Sequence, residues 1–189
     1  QSDQVTASIN DFIVNLGESL AIVIGMLLIF MGLRSGLLIG VVLLLTVAGT
    51  VAVMNQAGIF LQIVSLAALI IALGSLVDNA IVVTEGMLVG VERGMAVEDA
   101  ASDAVESSKW AMLGGTFIAV MAFAPIGLSP DMTGEFCGSL LSVVGISMML
   151  SWVAALTVTP VFGQMMLKAK KQENDPYDRG LFRAYRAAL

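Results

Sequence analysis

The sequence predicts an all-α polytopic membrane helix bundle, and three observations carry that prediction. First, 58% of the 189 residues are hydrophobic and only 13% charged, against roughly 45–50% and about 25% in an average soluble domain. Second, the charges leave uncharged runs of 43 residues (35–77), 32 residues (136–167) and 21 residues (110–130), and about 20 apolar residues cross a bilayer. Third, the nine Lys and Arg residues fall after alternate apolar segments. Together these exclude a water-soluble globule.

Five spanning helices fit the pattern, at residues 12–33, 36–54, 60–84, 110–129 and 137–160. The 43-residue run must be divided, because a single helix of that length would rise about 65 Å. Its polar, Gly-containing stretch Asn55, Gln56, Ala57, Gly58 is the natural turn. After Glu135, one span with an interfacial extension is expected, since Pro160 should kink or end the helix. Gly32, Gly36 and Gly40 have four-residue spacing, but Arg34 and a turn interrupt them, which argues against a GxxxG dimer motif.

Orientation follows from the cations. Arg34 comes after the first span, Arg93 and Lys109 after the third, and the other six after the fifth. The positive-inside rule then places the N-terminus in the periplasm and the C-terminus in the cytoplasm. The chain accordingly divides into a periplasmic lead-in (1–11), three spans (12–84), a cytoplasmic loop (85–109), two spans (110–167) and a cytoplasmic amphipathic tail (168–189). Within the loop, residues 96–108 place Ala100, Ala101, Ala104 and Val105 opposite Glu98, Asp99, Asp103 and Glu106, which predicts a short helix lying along the membrane surface. The opening QSDQVTASIND lacks an initiator Met and a basic n-region, so the chain is expected to be a piece of a longer protein.

Composition also removes several functions. A net charge of −6 offers no basic stripe for nucleic acid. With no His and a single Cys (Cys137), no imidazole or thiolate metal site can be assembled, and no cofactor is expected. The 12 Met residues, Phe117, Phe123, Phe136 and Trp152 read as apolar packing.

The strongest signal is Asp78, which interrupts the third span in GSLVDNAIVVTEG (74–86). An ionisable group in a spanning helix costs about 2.5–3.5 kcal/mol on insertion scales, so it marks a functional candidate with a partner. Helical spacing puts Gly74, Asp78 and Glu85 on one face, which is expected to point into the bundle toward a cation, leaving Leu69, Leu73, Leu76 and Ile81 for lipid or packing. Every Lys and Arg of the chain lies at a membrane boundary or beyond, so that cation must come from elsewhere. In hydrocarbon the carboxylate is tolerable beside a cation and the neutral acid without one, so Asp78 is suited to take and release a proton. The other reading is a permanently neutral Asp acting as interhelical glue in a structural module. Asn79 points about 100° away, suited either to glue or to support of the proton site. Glu18, near the outer boundary, and Glu85, at the cytoplasmic end, are candidates for the proton pathway. An intramembrane aspartyl protease would need two facing deep carboxylates, and only Asp78 is deep.

The motif around Asp78, with AFAPIGLSPDMTGEF (122–136) and ALTVTPVFGQMMLK (155–168), resembles the resistance-nodulation-division (RND) efflux pumps of the AcrB-type multidrug branch. The resemblance covers nearly the whole chain and aligns it with the second to sixth transmembrane helices of the N-terminal half. It implies a proton-driven, homotrimeric transporter of the bacterial inner membrane. Hydrophobic or amphiphilic substrates would be bound by periplasmic domains outside this chain, with a periplasmic adaptor and an outer-membrane channel as partners. Asp78 would be a proton-carrying carboxylate, and the relay Lys would belong to the protein's second half. Asn79 stands where many relatives have a second Asp, which puts a borrowed proton stoichiometry in doubt. A metal-exporting or protein-exporting member of the same superfamily is the neighbouring reading.

Overall fold

A computed structural model of the chain describes residues 2–58, 63–127 and 132–167, and among these it contains only helices and short turns. Four elements follow one another: α1 (Ser2–Gln56), α2 (Ile63–Glu92), α3 (Val97–Gly127) and α4 (Met132–Met166). All four are long and apolar enough to cross a membrane.

Four elements stand where five spans are expected, because α1 is interrupted rather than ended. Gly32 adopts φ 80°, ψ 165°, outside the helical region, a conformation glycine reaches without steric cost. Around it the chain folds back. A Cβ on Gly36 would lie 2.8 Å from the Leu27 carbonyl oxygen, and one on Gly40 3.3 Å from the Ile24 side chain. In a straight helix Gly40 and Ile24 would be about 24 Å apart. The glycine spacing therefore serves a close approach of two halves of one hairpin, with the reversal at Gly32 itself rather than after Arg34.

The remaining elements pack in register with this hairpin. Gly90 meets Ala100 and Gly86 meets Ala104, so α2 and α3 run antiparallel. Ser151 reaches the Leu76 carbonyl and Gly163 abuts Met87, so α4 runs parallel to α2. Gly49 against Leu150 sets residues 33–56 antiparallel to α4. The Gly32 reversal, the turn at residues 93–96 and Leu167 thus gather at one end of the bundle. Leu38, Ile39, Leu43, Leu69, Leu73, Val143 and Val144 are buried in its core. The periphery is apolar too: Ile29, Phe30 and Leu33 are 81%, 78% and 79% exposed, a surface suited to hydrocarbon rather than water. Three buried hydroxyls are satisfied one turn back, Thr46 on Val42, Thr50 on Thr46 and Thr84 on Ala80, whereas Thr159 Oγ1 is buried without a hydrogen-bond partner among the described residues.

Several expectations are corrected. The first helix starts at Ser2, because residues 2–11 contain neither Gly nor Pro to stop it. The third predicted span continues past residue 84 to Glu92, since the first breaker is Gly94, at φ 88°. Residues 96–108 do not form a separate surface helix. They continue into the next apolar run as α3, with no breaker between Val97 and Lys109, and bury Ala100, Ala101 and Ala104. The small glycines of α2 accept that alanine face, which is covered by protein instead of lipid headgroups. Pro160 does not end α4, which runs to Met166; a proline removes only its own donor to Leu156. Cys137 and the tail at 168–189 lie outside the residues described at side-chain level.

Candidate functional site

Asp78 is the sixteenth residue of the 30-residue α2, which puts its carboxyl at mid-depth in the helix. The sequence around it forms helix readily: Leu, Val and Ala flank it, and the nearest glycines, Gly74 and Gly86, keep the helical conformation. The face carrying Gly74, Asp78 and Glu85 is exposed, whereas Leu69, Leu73 and Leu76 are buried. The small, acidic face therefore turns out of the bundle formed by this chain, and the leucines take the interior. The physical reason is that the described helices satisfy α2 through Leu-rich packing and offer no cation to the acid.

Asp78 opens into a cleft of about 380 Å³ between α2 and α3, walled by Ser75, Asn79, Ser108, Gly115, Thr116 and Met148 among others. Among the described residues no cation lies within ion-pair distance of it. Lys109 is paired with Glu106, 2.6 Å away within α3. Arg34 and Arg93 stand at the end of the bundle that holds the Gly32 reversal.

Asn79 is placed differently. Its Nδ2 donates to Thr116 Oγ1 at 3.5 Å and to Ser151 Oγ at 3.4 Å. Ser151 Oγ in turn donates to the Leu76 carbonyl oxygen at 2.7 Å. One amide thus joins α2, α3 and α4. Trp152 Nε1 adds a second α4–α3 tie by donating to the Lys109 carbonyl oxygen at 3.1 Å. Thr116, Ser151 and Trp152 were not singled out by sequence reasoning as site residues. The available signal was a hydroxyl within an apolar run, the residue type that glues membrane helices together, but the run at 136–167 carries six of them and nothing in the spacing marks Ser151 among them.

The two other candidates do not join Asp78 directly. Glu85 is exposed two turns further along α2 and lines a separate cleft with Arg93 and Asp103. Glu18 is exposed in the first half of α1, away from that cleft. No three His, Cys, Asp or Glu side chains come together as a metal-holding group among the described residues.

A mid-helix carboxyl with no cation at ion-pair distance among the described residues thus stands on the outer side of a bundle of helices long and apolar enough to cross a membrane. Comparison with known proteins places the class: residues 1–189 match the AcrB/AcrD/AcrF family, and the chain belongs to it. Its relatives include the "Multidrug resistance protein MdtC" of Salmonella newport, Salmonella agona and Salmonella typhimurium, each 32% identical over 186 residues. The match covers 97% of this chain and 18% of each relative. The chain is thus similar to about a fifth of an RND multidrug efflux transporter.

Proposed function

We propose that this chain is the proton-translocating part of a proton-driven multidrug efflux transporter, working by drug/proton antiport, and that Asp78 carries the proton. The observation that carries the reading is the direction of its carboxyl: at mid-helix, toward an open cleft, with no described cation beside it. A structural Asp acting as glue would be expected to hydrogen-bond across a helix interface. Here Asn79 takes that position, through Thr116 and Ser151.

In the complete pump a Lys from the second half would face Asp78 across the cleft. Protonating Asp78 removes the negative member of that ion pair, and the two halves then repack. One proton moved down 100 mV supplies about 2.3 kcal/mol, which a bistable helix arrangement converts to alternating access. The α1 hairpin crosses the membrane twice, making five crossings with a periplasmic N-terminus and a cytoplasmic C-terminus. This agrees with Arg34 and Arg93 lying at one end of the bundle. The pump is a homotrimer of the bacterial inner membrane, taking hydrophobic or amphiphilic substrates on periplasmic domains and working with an adaptor and an outer-membrane channel. The 189 residues alone, lacking the facing cation and those domains, would not transport. The multidrug names of the relatives favour this over metal or protein export.

The test is Asp78→Asn in the full-length pump, read as drug susceptibility with expression measured in parallel. Loss of resistance at equal expression is expected. Wild-type resistance at equal expression would end the relay reading.

A further inference from the structure

Two cavities follow one another along the α2–α3 groove. The first, about 380 Å³, holds Asp78 with Ser75, Asn79 and Ser108. The second, about 340 Å³, holds Glu85, Arg93, Asp103 and Ser107. Val82 lines both, and on the opposite wall the neighbours Ser108 and Ser107 line one each. Glu85 is seven residues beyond Asp78, hence about 10 Å further along the axis and within about 20° of the same side of the helix. Two carboxyls on one stripe are therefore joined by a groove whose far wall carries two hydroxyls.

We propose that this groove is the release path by which the proton leaves Asp78 for the cytoplasmic side, with Glu85 as the receiving carboxylate. The inference rests on the relay reading and extends it from the site of uptake to the route of exit. About three waters spaced about 2.8 Å apart span the 10 Å between the carboxyls, and each cavity has room for several at about 30 Å³ apiece. Ser108 Oγ donates to the Ala104 carbonyl at 2.5 Å, and Ser107 Oγ donates to the Asp103 carbonyl at 2.7 Å. Both hydroxyls thus spend their protons on the backbone and turn lone pairs toward the groove, where they accept from water and hold the chain in line. In the transfer, the O–H bond at Asp78 breaks as water takes the proton. An O–H bond then forms at Glu85, and Glu85 gives the proton to bulk water, so both carboxylates are regenerated. Arg93, in the turn just after α2, and Asp103 on α3 are the other charged groups lining the exit cavity. Val82 is the one described residue that lines both cavities.

The experiment uses the full-length pump in proteoliposomes, with drug transport driven by an imposed proton gradient and drug binding measured separately. Glu85→Gln and Ser108→Val should each lower turnover at least fivefold, while drug affinity stays within twofold of wild type. Glu85→Asp should recover more than half the rate, which a merely structural role for Glu85 does not predict. Turnover within twofold of wild type in both Glu85→Gln and Ser108→Val, with Asp78→Asn inactive in the same preparation, would overturn the exit route and leave the relay standing. Activity in Asp78→Asn would instead remove the relay, and the route with it.

Discussion

Asp78 and Asn79 are adjacent in sequence and line the same cleft, yet among the described residues only Asn79 of the two is hydrogen-bonded to the neighbouring helices. Asn79 enters the α2–α3–α4 junction to meet Thr116 and Ser151, while Asp78 opens into the outer cleft. The 100° step of a helix separates a residue that ties α2 to α3 and α4 from one with no ion-pair partner among the described residues.

That separation predicts different consequences for the two positions. Asn79→Ala leaves the Thr116 and Ser151 hydroxyls, 6% and 2% exposed, without the shared amide. The full-length pump should lose about 0.6–2 kcal/mol of stability, seen as a lower thermal midpoint in detergent. Transport per folded molecule should persist. Abolished transport at unchanged stability would make Asn79 a member of the relay rather than its support.

The α2–α3 contact predicts overpacking. A Cβ on Gly90 would sit 2.7 Å from the Ala100 Cβ, and one on Gly86 2.9 Å from the Ala104 Cβ. Gly90→Val should therefore destabilise by about 1–3 kcal/mol. Ala100→Gly should recover part of that loss in the double variant, because the two residues share one contact. Thermal unfolding of the four proteins of this cycle checks it, and additive effects would contradict the contact.

The hairpin in α1 predicts opposite signs at two glycines. Gly32 has φ 80°, so Gly32→Ala should cost about 1–2 kcal/mol. Gly25 is helical with open space around its Cα, and Gly25→Ala should be neutral or stabilising by about 0.5–1 kcal/mol. Equal effects in a thermal assay would argue against a reversal at Gly32.

Much of this was legible in the sequence because hydrocarbon imposes simple rules. The run lengths located the apolar segments, the turn at Asn55 to Gly58 was marked by its polarity, and Asp78 was conspicuous as the one deep acid. What stayed hidden depended on partners. Helical periodicity grouped Gly74, Asp78 and Glu85 on a face but could not say whether that face turned inward, because Leu69, Leu73 and Leu76 suit a core as well as lipid. The alanine face at residues 100–104 was read correctly as apolar and assigned to the membrane surface. Its cover is Gly86 and Gly90, which only the antiparallel pairing of α2 with α3 reveals. Thr116 and Ser151 were missed because a hydroxyl in a spanning helix can equally bond its own backbone, as Thr46, Thr50 and Thr84 do.

The most direct measurement is drug transport by the reconstituted full-length pump under an imposed proton gradient, comparing wild type with Asp78→Asn at matched protein content and matched drug binding. The account predicts that gradient-driven transport disappears in the variant while binding remains. Transport at the wild-type rate by a protein lacking that carboxylate would contradict it.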